Sequence, residues 1–132
     1  MSLLVASLNS GSNGNCYYIG NGDVAVLIDA GISARETERR MKQLGLSLKR
    51  VKGIFITHEH SDHIGGVAKL SKRHKIPVYI TQATRLHGNL QLDESLCYTF
   101  KPHEVIALDE LTITAIPKKH DAIDPHSFVV AS

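Results

Sequence analysis

The stretch HEHSDH at residues 58–63 is the most informative part of this chain, because it combines three imidazoles with two carboxylates. It directly follows the run GIFIT at residues 53–57, which predicts a buried β-strand. It precedes IGGV at residues 64–67, where we predict that a helix begins. Imidazole and carboxylate groups clustered at the carboxyl end of a core strand are typical of a catalytic metal site.

The spacing within this stretch predicts how its side chains would meet a metal. In an extended segment residues i and i+2 point to the same side, so His58 and His60 can converge on one ion. Asp62 and His63 lie at the predicted turn into the helix, where they can bind a second ion nearby. The helical H-E-x-x-H motif differs, because its histidines lie four residues apart. The alternative is a histidine-rich surface loop, which we disfavour because unpaired buried charge is costly without a metal.

Length and composition predict an ordinary globular chain. The 132 residues predict one domain, residues 1–132, and the net charge of +2 is too small to predict nucleic-acid binding by itself. The sequence has no apolar run long enough to span a membrane, and its N-terminus lacks the basic segment of a signal peptide. Cys16 and Cys97 are too few for a disulfide framework, so we expect reduced thiols in a cytoplasmic protein.

Local signals predict a hairpin and a helix in the N-terminal third. Asn21-Gly22 is a type I′ turn signal between two short strands. SARE at residues 33–36 matches a capping box, which predicts a helix that continues to about residue 44 and ends at Gly45. The strands predicted in this region cover residues 3–8, 16–20 and 23–29.

Strand and helix patterns continue after the histidine-rich stretch. We predict helices at residues 67–74 and 82–87. The later strand candidates are residues 77–80, 98–100, 105–108, 111–116 and 127–131. Strands that are joined partly by hairpins and partly by helices predict an α/β (α+β) fold, with a mixed sheet and helices on one face.

Several motifs of the chain resemble those of a known family. The pattern His58-x-His60-x-Asp62-His63 after an apolar strand looks like the signature of the metallo-β-lactamase fold superfamily. LIDAG at residues 27–31 resembles the early strand of that superfamily. SGSNGN at residues 10–15, together with HDAIDP at residues 120–125, resembles its YycJ-like (WalJ-like) branch, which has phosphodiesterase or exonuclease activity. The resemblance covers nearly the whole chain and implies a metallo-β-lactamase-like αββα fold.

The resemblance also implies a set of site residues. The ligands it implies are His58, His60 and His120 for a first metal ion, and Asp62 and His63 for a second. Asp29 would be a supporting carboxylate that orients a ligand histidine. Without the resemblance, Asp29 is equally well interpreted as a polar strand end before the turn at Gly31.

The implied ligands indicate that one or two divalent metal ions are the cofactor of a hydrolase. Imidazole and carboxylate ligands suit Zn²⁺, Mn²⁺ or Fe²⁺. Such an ion lowers the pKa of a bound water to about 7 and so supplies hydroxide at neutral pH. Asp62 would be the catalytic residue that orients this hydroxide. Ser12 and Asn15 lie in a glycine-containing loop whose backbone N–H groups can bind a substrate phosphate, although a plain connecting loop is an equal alternative.

The chain also departs from the superfamily pattern. Superfamily members are normally two similar αβ halves, and the second half supplies a bridging aspartate and a last histidine that have no counterpart here. His126 stands where the branch is expected to have a small or apolar residue. We therefore expect the N-terminal half to two-thirds of such an enzyme. Because half of a sandwich exposes a sheet face, we also expect a homo-oligomer that covers it.

These observations predict a metal-dependent hydrolase. The first hypothesis is a phosphodiesterase or nuclease, with a phosphodiester or nucleic acid as its partner and no membrane association. One alternative is an incomplete metal-binding half-domain with little or no catalysis. Another keeps the fold but cleaves a thioester or a lactam, and a more remote one is a non-catalytic interaction domain.

Overall fold

The N-terminal two-thirds of the chain forms one mixed sheet. The computed structural model describes residues 2–119 and 122–132. The strands of this sheet are β1 (Leu4–Asn9), β2 (Cys16–Gly20), β3 (Ala25–Ile28), β4 (Val51–Phe55), β5 (Val78–Tyr79) and β6 (Cys97–Tyr98), in that spatial order. The first three strands pair antiparallel, whereas β3 to β6 pair parallel. The carboxyl ends of β3 and β4 therefore lie side by side, at the edge where the histidine-rich stretch leaves the sheet.

Helices connect the parallel strands, as parallel pairing requires. They are α1 (Ala34–Gln43), α2 (Ser61–Ile64), α3 (Val67–His74) and α4 (Gln82–His87), with 3₁₀ turns at Leu48–Arg50 and Glu94–Leu96. The predicted start of α1 is confirmed, because the Ser33 hydroxyl accepts a hydrogen bond from the Glu36 N–H at 3.1 Å. Its predicted end is confirmed as well, since Gly45 follows the helix with a φ of 71°.

A second, three-stranded antiparallel sheet follows. Its strands are β7 (Val105–Leu108), β8 (Leu111–Pro117) and β9 (His126–Ala131), in that order. Buried and exposed residues alternate along β8, which is the pattern of a strand with one covered face. The predicted strands at residues 105–108, 111–116 and 127–131 are confirmed to within one residue at each end.

The core has two layers on opposite faces of the mixed sheet. Leu27 and Ile54 face the helices, where they pack in a buried cluster with Met41 of α1 and Leu70 of α3. The other face packs against the second sheet through a cluster that contains Val24, Val26, Phe55, Leu111 and Ile113. Because both faces of β3 are covered, Ala25, Val26 and Leu27 are each fully buried. This burial fixes the position of the strand end that leads to Asp29.

One local prediction was wrong. A type I′ turn needs positive φ at both central residues, and neither Asn21 nor Gly22 has it. The Asn21 side chain instead accepts hydrogen bonds from the N–H groups of Asp23 and Val24, which shapes a longer loop between β2 and β3. The helix predicted at residues 67–74 is confirmed as α3, and the short helix α2 precedes it, so Asp62 and His63 are already helical.

The second sheet also changes the expected surface. The sheet face that half of a sandwich was expected to expose is covered in part by β7 to β9, because Val26 and Phe55 are fully buried between the sheets. The predicted mixed sheet with helices on one face is confirmed for β1 to β6. Over residues 2–119 and 122–132, no helix combines the length and apolarity needed to cross a bilayer.

Candidate metal centre

Three imidazoles of the histidine-rich stretch come together beyond the end of β4. The ring centroids of His58 and His60 lie 4.6 Å apart, and those of His58 and His63 lie 3.9 Å apart. His58 is buried, with 2% of its surface exposed, whereas His60 and His63 are half-buried. The backbone at His60 is extended, with φ −60° and ψ 141°, before α2 begins. The predicted convergence of His58 and His60 in an extended segment is therefore consistent with the structure.

Asp29 lies under these rings and accepts hydrogen bonds from the histidine-rich stretch. Its Oδ1 accepts from the Thr57 N–H at 2.8 Å, and its Oδ2 accepts from the Thr57 hydroxyl at 2.7 Å. Nδ1 of His63 lies 2.6 Å from the same Oδ2. Asp29 has a φ of 63°, a left-handed conformation that aspartate tolerates better than most residues. This carboxylate therefore joins the end of β3 to the end of β4 and to α2.

These hydrogen bonds determine which nitrogen of each ring carries the proton. The Thr57 hydroxyl donates its one hydrogen to Asp29, so it accepts from Nδ1–H of His58, which lies 2.8 Å away. His63 likewise donates its Nδ1 hydrogen to the Asp29 carboxylate. In neutral rings, Nε2 is then the nitrogen with the lone pair for both histidines. An imidazole that binds a metal through one nitrogen and donates from the other to a carboxylate or hydroxyl is a common arrangement in metal sites.

Burial sets the electrostatics beneath the rings. Burial raises the pKa of the Asp29 carboxyl, while the hydrogen bonds from His63 and Thr57 oppose that rise. Burial is also the main reason that the pKa of the Cys16 thiol is raised to about 12, and the nearby Asp29 raises it further. Cys16 is fully buried and stays protonated at neutral pH, so it is a core residue rather than a thiolate ligand.

The loop at residues 10–15 touches the same site through Asn15. Its Nδ2 lies 3.3 Å from Oδ2 of Asp62 and 3.2 Å from Nε2 of His63, and it also donates to the Gly11 carbonyl at 3.0 Å. The Gly11 N–H donates back to the Asn15 side-chain oxygen. Ser12 is exposed in this loop. Asn15 therefore fixes the loop against two of the predicted ligands.

The strand end after Asp29 packs tightly against the histidine-rich stretch. The Ala30 N–H donates to the His63 carbonyl at 3.0 Å, and the Asn15 N–H donates to the Asp62 carbonyl at 2.6 Å. A Cβ atom at Gly31 would lie 1.8 Å from that Asp62 oxygen. Glycine is therefore required at position 31 for α2 to approach this closely.

The structure brings most of the predicted site residues together. Those that lie at one site are Asp29, His58, His60, Asp62, His63 and Asn15. His120, the third predicted ligand of the first ion, lies outside the described residues. Within residues 2–119 and 122–132, no three histidine, cysteine or acidic side chains already have the spacing of a metal site. The described groups still fit a divalent ion chemically, because Asp29 and Thr57 leave Nε2 of His63 and His58 as the acceptor nitrogens.

Sequence reasoning missed two residues of this region. The sequence predicts Thr57 only as the end of a strand, yet its hydroxyl links Asp29 to His58. A hydroxyl residue directly before the first ligand histidine is the signal that could have identified it. The sequence indicates no separate role for Glu59, although its side chain is nearly buried and accepts a hydrogen bond from the Ile123 N–H. A cleft of about 470 Å³ opens beside it, and its lining residues are Glu59, His60, His87, Ala122 and Ile123.

The fold and the site together define a class of protein. The chain belongs to the metallo-β-lactamase superfamily, whose family model matches residues 10–114. It is 36% identical over 130 residues to exodeoxyribonuclease YycJ of Bacillus anthracis, which is 95% of this chain and 48% of that protein. It is 29% identical over 126 residues to exodeoxyribonuclease WalJ of Streptococcus pneumoniae, covering 92% of this chain and 47% of that protein. The predicted resemblance to the superfamily and to its YycJ-like branch is confirmed.

Solved structures support the fold. MEM-A1, a subclass B3 metallo-β-lactamase from a soil metagenome library, superposes with a TM-score of 0.76 at 23% identity, over 96% of this chain and 54% of that chain. A metallo-β-lactamase of Cronobacter sakazakii gives a TM-score of 0.77 at 21% identity, over 91% of this chain and 54% of that chain. The chain thus spans about half the length of the relatives it matches. The predicted metallo-β-lactamase-like fold is confirmed for that half.

Proposed function

We propose that this chain is the metal-binding part of a phosphodiesterase-type hydrolase that acts on nucleic acid. The observation that carries the proposal is the hydrogen-bonded set of Asp29, Thr57, His58 and His63, which prepares two imidazoles to bind an ion through Nε2. Similarity to two exodeoxyribonucleases across more than nine-tenths of the chain supports phosphodiesters over thioesters or lactams as substrates. The free thiols of Cys16 and Cys97 support the predicted cytoplasmic location.

The proposed roles follow from the chemistry of the side chains. The proposed ligands are His58, His60 and His120 for one divalent ion, and Asp62 and His63 for a second. Zn²⁺ suits these ligands, as do Mn²⁺ and Fe²⁺. When bound, the ion would act as a Lewis acid and lower the pKa of a water to about 7. Asp62 would orient the attacking water and accept its proton, while Asp29 would hold His63 in the ligating form.

The substrate would approach from the side of the loop at residues 10–15. Ser12 is exposed there, and the Asn15 amide lies beside Asp62 and His63. We propose that Ser12 and Asn15 contact an oxygen of the scissile phosphate, as the sequence predicts. The N–H groups of Gly11 and Gly14 already donate inside the protein, and the Asn15 side chain is hydrogen-bonded through both its oxygen and its nitrogen. The exposed Ser12 hydroxyl would therefore make the first contact, and Asn15 would join it by exchanging one of its present partners.

Hydrolysis of a substrate panel tests the proposal. The metal-loaded chain is assayed with bis(4-nitrophenyl) phosphate, a chromogenic lactam, a thioester and end-labelled DNA. The expected result is metal-dependent cleavage of the phosphodiesters, abolished in Asp62→Ala. The matched control is Asp23→Ala, which removes an exposed carboxylate from the β2–β3 loop and should leave the rate unchanged. Full activity of Asp62→Ala would contradict the proposal. Cleavage of the lactam or thioester alone would show that the chain hydrolyses that bond instead of a phosphodiester.

A second candidate is a metal-binding half-domain with little catalysis. It rests on one observation, that the chain covers about half of the length of the relatives it matches. A wild-type chain that binds zinc but cleaves none of the panel would support it. The predicted homo-oligomer belongs with this candidate. Tyr98, which stacks on Tyr79 at the edge of the layer between the sheets, is 47% exposed, and a second copy would cover it. A monodisperse monomer in light scattering would contradict that prediction.

A further inference from the structure

Glu59 lies between two predicted metal ligands but faces away from them. In an extended segment its side chain points to the side opposite His58 and His60. Only 8% of this side chain is exposed, although it carries a carboxylate. Its two oxygens lie 3.4 and 3.2 Å from the Ile123 N–H, and Oε2 lies 3.7 Å from Nε2 of His87, at the end of α4. A nearly buried carboxylate is costly unless it is partnered, so these contacts explain why it can lie there.

The segment that Glu59 binds follows the third predicted ligand along the chain. Ile123 comes three residues after His120. The same segment is attached at a second point, because the His126 N–H donates to the Thr57 carbonyl at 2.9 Å. Residue 57, which directly precedes the histidine-rich stretch, thus holds residue 126, and residue 59 within the stretch holds residue 123. Of these two attachments, only the one at Glu59 depends on a side chain, so it can be removed by substitution.

From these contacts we infer that Glu59 is a positioning residue for the metal centre. By accepting a hydrogen bond from the Ile123 N–H, its carboxylate holds the segment after His120 against the stretch that carries His58 and His60. The inference rests on the proposed metal centre and goes beyond it, because it concerns the face of the stretch that no metal touches. A ligand that is held by the fold before the ion arrives spares the ion the entropic cost of ordering its segment. Loss of the hydrogen bond between Glu59 and Ile123 should therefore lower the affinity for the metal more than it lowers the stability of the metal-free fold.

Two substitutions of similar length test this role. Glu59→Met keeps the volume of the side chain and removes the acceptor, whereas Glu59→Gln keeps one carbonyl oxygen for the Ile123 N–H. The control is Glu110→Ala, an exposed acidic residue in the turn between β7 and β8. For each variant, the zinc dissociation constant is measured by competition with a chromophoric chelator. Hydrogen exchange of the Ile123 amide and thermal unfolding are measured on the metal-free protein.

The expected result is a graded loss. Glu59→Met should weaken zinc binding roughly tenfold, within the range seen when groups supporting metal ligands are removed. Its Ile123 amide should exchange faster in the metal-free protein. Glu59→Gln should stay within about threefold of the wild type, and Glu110→Ala should match it. If Glu59→Met does not fold, Glu59→Asp, which draws the carboxylate back by one methylene, should give the same loss.

Wild-type zinc affinity in Glu59→Met, with faster exchange at Ile123, would overturn the inference, because the hydrogen bond between residues 59 and 123 would then be lost without any change in the zinc affinity. Equal losses in Glu59→Met and Glu59→Gln would also overturn it. The proposed phosphodiesterase activity fails separately. If the wild type binds zinc and cleaves no phosphodiester, the proposed function is refuted, whereas the zinc affinities of the Glu59 variants still test the positioning role of Glu59.

Discussion

Replacement of Asp29 by asparagine should separate metal binding from folding. Asparagine has the same shape and also tolerates the left-handed φ of 63°, so the backbone need not move. Its Oδ1 can still accept from the Thr57 N–H. The amide NH₂, however, would take the place of Oδ2, which now accepts from the Thr57 hydroxyl and from Nδ1–H of His63. Both of those donors would then face another donor.

The magnitude follows from these lost bonds. A hydrogen bond to a charged acceptor contributes about 1.5–3 kcal/mol, so the metal-free Asp29→Asn variant should lose stability of that order in urea unfolding. His63 can recover a hydrogen bond only by moving its proton to Nε2, which removes the lone pair proposed to bind the second ion. Zinc affinity should therefore fall roughly tenfold to a hundredfold, which is about 1.4–2.8 kcal/mol.

Nitrogen NMR of the histidine rings in the metal-free protein reads the proton position directly, and chelator competition reads the affinity. The control is Asp23→Asn, an exposed aspartate in the β2–β3 loop. If His63 in Asp29→Asn keeps its proton on Nδ1 and zinc binds as tightly as in the wild type, Asp29 does not hold His63 in the ligating form.

Three further predictions concern the framework of the site. Gly31→Ala should lower the free energy of unfolding in urea by about 3 kcal/mol, because its Cβ would lie 1.8 Å from a backbone oxygen. The control Gly22→Ala places a Cβ with nothing within 4 Å and should change that free energy by less than about 0.5 kcal/mol. Equal losses in the two variants would contradict the tight packing at Gly31. Iodoacetamide at pH 8 should label the half-buried Cys97 and spare Cys16, whose pKa is raised to about 12, as read by mass spectrometry of the native protein; early labelling of Cys16 would contradict its burial. Hydrogen bonds from two arginines of α1 lower the pKa of Glu36 from 4.5 to about 2. The ionised Glu36 therefore stabilises the folded protein above pH 4.5, and this contribution is lost as the pH falls towards 2. Glu36→Gln should therefore flatten the pH dependence of Tm in that window, and an unchanged profile would argue against the pairing.

The sequence predicted those features that depend on neighbours along the chain. The start of α1 could be read from Ser33 and Glu36, because an N-cap joins residues three apart. The convergence of His58 and His60 followed from the geometry of an extended segment. The turn at Asn21 was mistaken because its side chain competes for nearby N–H groups, which a two-residue turn signal does not reveal.

The parts of the site that join distant segments could not be predicted in this way. Thr57 acquires its role only when β3 and β4 pair, which brings Asp29 under its hydroxyl. Glu59 meets Ile123, which lies between β8 and β9, only when the second sheet packs against the first. The family resemblance pointed to Asp29 as a supporting carboxylate, but the partners that give it this function appear only in the folded structure.

Metal content per chain tests the central claim most directly. The protein is purified without chelator, and bound metals are measured by elemental analysis for the wild type and for a variant with His58→Ala and His63→Ala. We expect at least one divalent ion per wild-type chain and its loss from the double variant. A wild type that retains no ion and binds no added zinc, or a double variant that binds zinc as the wild type does, would contradict it.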